Sequence, residues 1–136
     1  MRIIIDTNLW ISFLIGHQKF FMQRMLTDLR FDVYICPQLI KEICDVASRE
    51  KISKYLDSSD LDDMLAIIQA YCKRVNIEAE VPSSAVRDPK DLYLLSLAKT
   101  IDANYIVSGD TDLTDIGQFE NTSIVRLSEF KELMHL

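Results

Sequence analysis

Apolar and polar positions change rhythm repeatedly along the chain. Ile3, Ile4 and Ile5 form an unbroken β-branched run, the pattern of a strand buried on both faces and so of a parallel sheet covered by helices. Short apolar runs recur at residues 33–36, 105–107 and 124–127, with a weaker one at 75–77. Between them the spacing becomes helical. Phe20, Phe21, Met25, Leu26 and Leu29 predict one apolar helix face. Pro37 predicts a helix start, with Leu39, Ile40, Ile43 and Ala47 on its buried side. Ser59 followed by Asp62 has the form of a capping box for a helix carrying Leu61, Leu65, Ile68 and Cys72. Residues 78–84 are polar and read as a loop. Asp88 predicts an N-cap before Pro89 for a helix running to about Ile101, and Ser128 opens a short last helix. Strand alternating with helix predicts an α/β fold, a three-layer α/β/α sandwich around a central parallel sheet.

The chain has 136 residues, which predicts a single domain spanning residues 1–136. Hydrophobic residues make up 49% and charged residues 26%, excluding a disordered tail or a solvated coiled coil. Gly16, Gly109 and Gly117 cannot form a GxGxxG loop, which excludes a dinucleotide-binding domain. The net charge of −6 provides no global basic field. An anionic partner must therefore be held by local patches or through bound cations. Cys36, Cys44 and Cys72 form no CxxC pair and, with His17 and His135, make no zinc ligand set. They read as reduced thiols of a cytoplasmic protein. No stretch approaches the roughly 18 apolar residues of a spanning helix, so no membrane partner is expected.

Four acids change the picture. Asp6 follows the first strand, and the carboxyl ends of parallel strands form the ligand crevice of open α/β sheets. It reads equally as the cap of a helix beginning near Leu9. Asp110 lies just past the run at 105–107 and emerges at the same sheet edge if the two strands are neighbours; turn chemistry is its other reading. Asp112 fits the first turn of a short helix. Asp91 shares a helical stripe with Leu94, Leu95 and Ala98. A carboxylate there must be paired, protonated or bound to a metal; its other reading is an acid stabilising the first turn of the helix. Glu42 lies at the margin of its helix's buried face and, read by itself, is a solvated glutamate; only the combination of acids makes it a candidate. Converging acids repel one another unless a cation compensates, and all-oxygen ligands suit Mg²⁺ or Mn²⁺. An EF-hand is excluded, because the sixth and twelfth positions counted from Asp110 are Asp115 and Asn121.

The opening RIIIDTN, the lone Glu42, RDPKDLYLLSLA and YIVSGDTDL together resemble the PIN-domain ribonuclease family. Within it they are similar to the VapC-type toxins of bacterial and archaeal toxin–antitoxin pairs. The resemblance runs from Ile3 to about Leu127. It implies that Asp6, Glu42, Asp91 and Asp110 are the catalytic, metal-holding quartet, that Asn8 and Ser108 orient those acids by hydrogen bonds, and that Asp112 is a further acid. It implies a Mg²⁺-dependent (or Mn²⁺-dependent) endoribonuclease that hydrolyses RNA phosphodiesters in the cytoplasm. It also implies a homodimer that pairs with an antitoxin protein. Trp10, Phe13, Leu14, Phe20 and Phe21 could supply the contact surface or serve as core. Lys41, Arg49, Arg87 and Lys90 are the cations available to grip substrate. Two alternatives stand beside this reading. One is a non-catalytic RNA- or protein-binding module of the same fold. The other is a phosphatase using Asp6 as nucleophile, which lacks the usual second acid because Asn8 lies two residues on.

Overall fold

The computed structural model describes residues 1–16 and 19–136, so His17 lies outside the described residues. The chain opens with β1 (Arg2–Ile5), α1 (Thr7–Leu14), α2 (Lys19–Thr27), β2 (Asp32–Ile35) and α3 (Pro37–Ala47). Then come α4 (Glu50–Ser53), α5 (Asp60–Tyr71) and β3 (Lys73–Arg74). After a loop and a 3₁₀ turn at Pro89–Asp91 follow α6 (Leu92–Ile101), β4 (Tyr105–Val107) and α7 (Thr111–Thr114). The chain ends with β5 (Gln118–Phe119), β6 (Thr122–Val125) and α8 (Leu127–Met134).

Six strands form one sheet in the order β3-β2-β1-β4-β6-β5. Ile3, Ile4 and Ile5 are at most 1% exposed. Since successive side chains of a strand point to opposite faces, both faces of the sheet are covered. Helices α2, α3 and α5 each pack against α1, while α6 lies against β1. Phe130 of α8 closes on Phe31 and Tyr105 at ring distances of 5.5 and 5.6 Å. The α/β sandwich expected from the alternation is the observed architecture. No helix among the described residues is long and apolar enough to cross a membrane.

The order of strands positions the site. From β1 the chain steps outward to β2 and β3, then returns to place β4 on the other side of β1. The carboxyl ends of β1 and β4 therefore flank a topological switch point, where open α/β sheets form their ligand crevice.

The structure corrects several expectations. The sheet is mixed, because β5 runs antiparallel to β6 at the edge. Two residues turned by Gly117 and by Glu120, both at positive φ, are too short to leave a periodic signal. The weak run at 75–77 pairs one step earlier: Lys73 and Arg74 align with Tyr34 and Ile35 of β2, and both are exposed edge residues whose polarity hides the strand. Leu127 belongs to α8 instead of the last strand. Ser59 makes no side-chain cap bond; Asp60 instead accepts from the Asp57 backbone N–H at 2.7 Å. Leu29 lies beyond α2, fully exposed, and Phe20 is 74% exposed. Trp10, Phe13 and Phe21 are core residues, so of the five aromatic and aliphatic residues weighed as a contact surface only Phe20 stands out into solvent. The helix foreseen from Pro89 begins as a 3₁₀ turn, with Asp88 capping it through the Lys90 N–H at 3.0 Å.

Candidate metal centre

Asp6 is the residue immediately after β1, and its position is fixed from both sides. Its backbone N–H continues the ladder to the Val107 carbonyl at 3.0 Å. Its side chain caps α1 by accepting from the Thr7 N–H at 2.7 Å, the role its chemistry predicts, for a helix that starts two residues earlier than foreseen. The other carboxylate oxygen accepts from Ser108 Oγ at 2.7 Å. Asp6 is only 4% exposed. Burial pushes its carboxyl above the ordinary aspartate value, opposed by the Ser108 and Thr7 hydrogen bonds and reinforced by the charges of Glu42 and Asp110.

Ser108 joins two strand ends. It is fully buried, donates to Asp6, and accepts from the Asp110 N–H at 3.0 Å. Asp110 in turn caps α7, accepting from the Asp112 N–H at 2.9 Å. A four-residue helix thus turns the chain so that Asp110 and Asp112 both face the 3₁₀ turn carrying Asp91. Asp91, Asp110 and Asp112 each present a carboxylate oxygen within 4.8 Å of the others. Of the four acids expected to hold metal, Asp91 and Asp110 belong to this cluster, and Asp112 joins them in it.

Asp91 carries the strongest signal. Its Oδ2 is buried and has no hydrogen-bond partner. Burial, then the charges of Asp110, Asp6 and Asp88, push its carboxyl up to about 7. A buried carboxylate oxygen without a donor, beside two further carboxylates, is an arrangement that a cation would complete. The donors are all hard carboxylate oxygens, which fits Mg²⁺ or Mn²⁺.

Glu42 is held apart from the trio by a different link. Tyr93 Oη donates a short hydrogen bond to Glu42 Oε2 and lies 3.5 Å from Thr7 Oγ1. Burial pushes the Tyr93 hydroxyl above its ordinary value, with the Glu42 bond adding to it. Neither Tyr93 nor Thr7 stands out from sequence position alone. One signal was present: a tyrosine inside the leucine stripe of α6 brings a polar atom to a buried face, where it must find a partner. Asn8 is exposed and makes no side-chain hydrogen bond to the acids among the described residues. Of the four cations foreseen as substrate contacts, Arg87 reaches the centre, pairing with Asp112 at 3.5 Å and Asp115 at 3.1 Å. Lys90 sits beside Asp91 in sequence. Lys41 and Arg49 are exposed, on α3 and just before α4.

An α/β sandwich with acids gathered at its switch point is the class that fold and geometry define. The PIN domain family matches residues 2–112, most of the chain, and the chain belongs to that family. A chain of the crystal structure of VapBC2 from Rickettsia felis, bound to a DNA fragment from their promoter, is similar in fold. Its TM-score is 0.63 at 14% identity, over 93% of this chain and 98% of that one. No curated protein matches the sequence.

Proposed function

We propose that the chain is a metal-dependent endoribonuclease, a single PIN domain acting as the toxin of a toxin–antitoxin pair. The observation that carries this reading is the unpartnered, buried Oδ2 of Asp91 within reach of Asp110 and Asp112. PIN-family membership and the fold likeness to a VapBC complex support it. Asp91, Asp110 and Asp112 would hold Mg²⁺ or Mn²⁺, with Asp6 joined to them through Ser108. A divalent ion there would lower the pKa of a bound water and offset the charge building on the phosphate under attack and on its leaving oxygen. The protein's own residues do the rest. Ser108 keeps Asp6 and Asp110 in fixed relation, and the capping bond from the Asp112 N–H aims Asp110. Tyr93 holds Glu42 so that its free oxygen can accept a proton from an attacking water. The RNA chain is the substrate, an antitoxin protein the partner in a homodimeric assembly, and the cytoplasm the setting in which three free thiols persist.

The test is RNA cleavage by the purified protein and by Asp91→Asn, each with Mg²⁺, Mn²⁺ or EDTA. The parent should cleave only with metal, and Asp91→Asn should be slower by about a hundredfold or more, since even residues one shell away from a metal alter activity by 10–100-fold. Equal cleavage by parent and variant, or cleavage undiminished by EDTA, removes the metal centre from the mechanism.

A further inference from the structure

The carboxyl edge of the sheet continues past the acids toward β2 and β3, and an open groove lies there. Two cavities of about 420 and 380 Å³ meet at Gln38 and Ile77. Lys90, Leu92 and Tyr93 line the first and Asn76 the second. Three links connect the groove to Glu42 and Asp91. Tyr93 lines the groove while its hydroxyl bonds Glu42. Gln38 and Glu42 are four residues apart in α3 and so share a face one turn apart. Lys90 directly precedes Asp91.

Its lining contrasts with the net acidity of the chain. No carboxylate among the described residues lines either cavity, whereas a comparable cavity between α1, α2 and α5 is walled by Asp60 and Asp63. A third, beneath Phe20 and Tyr71, is also free of carboxylates but sits on α2 and α5, elements that hold none of the acids. Lys90 makes no ion pair among the described residues, in contrast to Arg87. Gln38 and Asn76 are exposed amides, each offering a donor and an acceptor, and Ile77, Leu92 and Tyr93 provide apolar surface. A cation, paired amides and an apolar or aromatic wall are the parts that hold an unpaired base; in a duplex those base edges and faces are occupied.

We propose that this groove holds an unpaired nucleotide of the RNA strand, next to the phosphate presented to the acids. Lys90 faces the backbone phosphate, and the Gln38 and Asn76 amides read the base edge. The inference rests on the nuclease reading and adds a base preference at the nucleotide beside the cleaved phosphate, set by the Gln38 and Asn76 amides.

The experiment measures binding of fluorescein-labelled oligoadenylate, oligocytidylate, oligoguanylate and oligouridylate, and of a blunt RNA duplex, by anisotropy in an Asp91→Asn background. Lys90→Ala and the double variant Gln38→Ala/Asn76→Ala are compared with that background; all three positions are exposed, so truncation leaves the fold intact. Mn²⁺ titration of the same substitutions in the parent chain runs alongside. Single strands should bind more tightly than duplex. Lys90→Ala should weaken every oligonucleotide alike and reduce the salt slope by about 0.7. The amide variant should flatten the ranking among the four. Mn²⁺ affinity should be unchanged in both. Oligonucleotide binding unaffected by both variants, or duplex bound as tightly as single strands, overturns the groove while leaving the metal centre standing. Mn²⁺ binding without any RNA binding overturns the groove and the RNA substrate together, and failure to bind Mn²⁺ strikes the nuclease reading itself.

Discussion

The Tyr93 hydroxyl donates to Glu42 and stands 3.5 Å from Thr7 Oγ1, so one side chain links three elements around the acids. Hydrogen bonds to charged groups contribute about 1.5–3 kcal/mol, and a part-buried one belongs at the lower end of that range. Tyr93→Phe should therefore destabilise the protein by about 1.5 kcal/mol, with no cavity to add to it. A double-mutant cycle with Glu42→Gln, read by urea unfolding, isolates the link. A coupling energy near 1 kcal/mol is expected, and strictly additive losses would show that hydroxyl and carboxylate are independent in solution. At this scale Asp91 is legible from sequence because a carboxylate on a leucine stripe conflicts with its surroundings. Asp6 and Asp110 are partly legible, through their places after strands. The tightness of Asp112 in the cluster is not, because it depends on the Asp110 cap that starts α7. The partner of Glu42 depends on an approach between α3 and α6 that no spacing encodes.

Among the elements, β1 carries the most. It pairs with β2 on one side and β4 on the other, and it delivers Asp6 to the switch point. Ile4 is fully buried and lies opposite Ile106. Ile4→Ala should cost about 3 kcal/mol, within the range for large-to-small core changes. In urea this appears as a lower midpoint with an unchanged slope. Leu29→Ala, at a fully exposed position, should change stability by no more than about 0.5 kcal/mol. A comparable loss at both sites would contradict the core assignment. β1, buried on both faces, writes itself into the sequence as a β-branched run, and short apolar stretches make β2 and β4 readable too. The two-residue strands β3 and β5 are not, since edge pairing needs neither apolar character nor length. Strand order is likewise set by packing of the whole chain, and only the alternation of elements hints at it.

At the scale of the whole molecule, the acid centre ties folding to both pH and metal, and the two dependences oppose each other. Asp91 has a folded value of about 7 against 3.8 for the free residue. In the metal-free protein the native state therefore keeps a proton that the unfolded chain has already released. Stability falls with pH wherever the native state binds more protons. The Asp91 contribution is thus fully present below about 3.8, declines as pH rises toward 7, and is flat above. Buried Asp6, also raised, acts in the same direction. Metal reverses the sense. Ligation requires the deprotonated carboxylate, so binding releases the proton, and stabilisation by mass action grows through the same window, reaching about 2.7 kcal/mol at a hundredfold excess over the dissociation constant. Melting temperatures across this range in EDTA should slope downward for the parent and be flatter for Asp91→Asn, which has no proton to lose. In Mn²⁺ the parent should gain most at the alkaline end and Asp91→Asn little anywhere. Superimposable EDTA curves for the two proteins would mean that Asp91 titrates like an exposed acid. A Mn²⁺ gain equal in both would place the ion away from Asp91, and with it the chemistry assigned to the switch point.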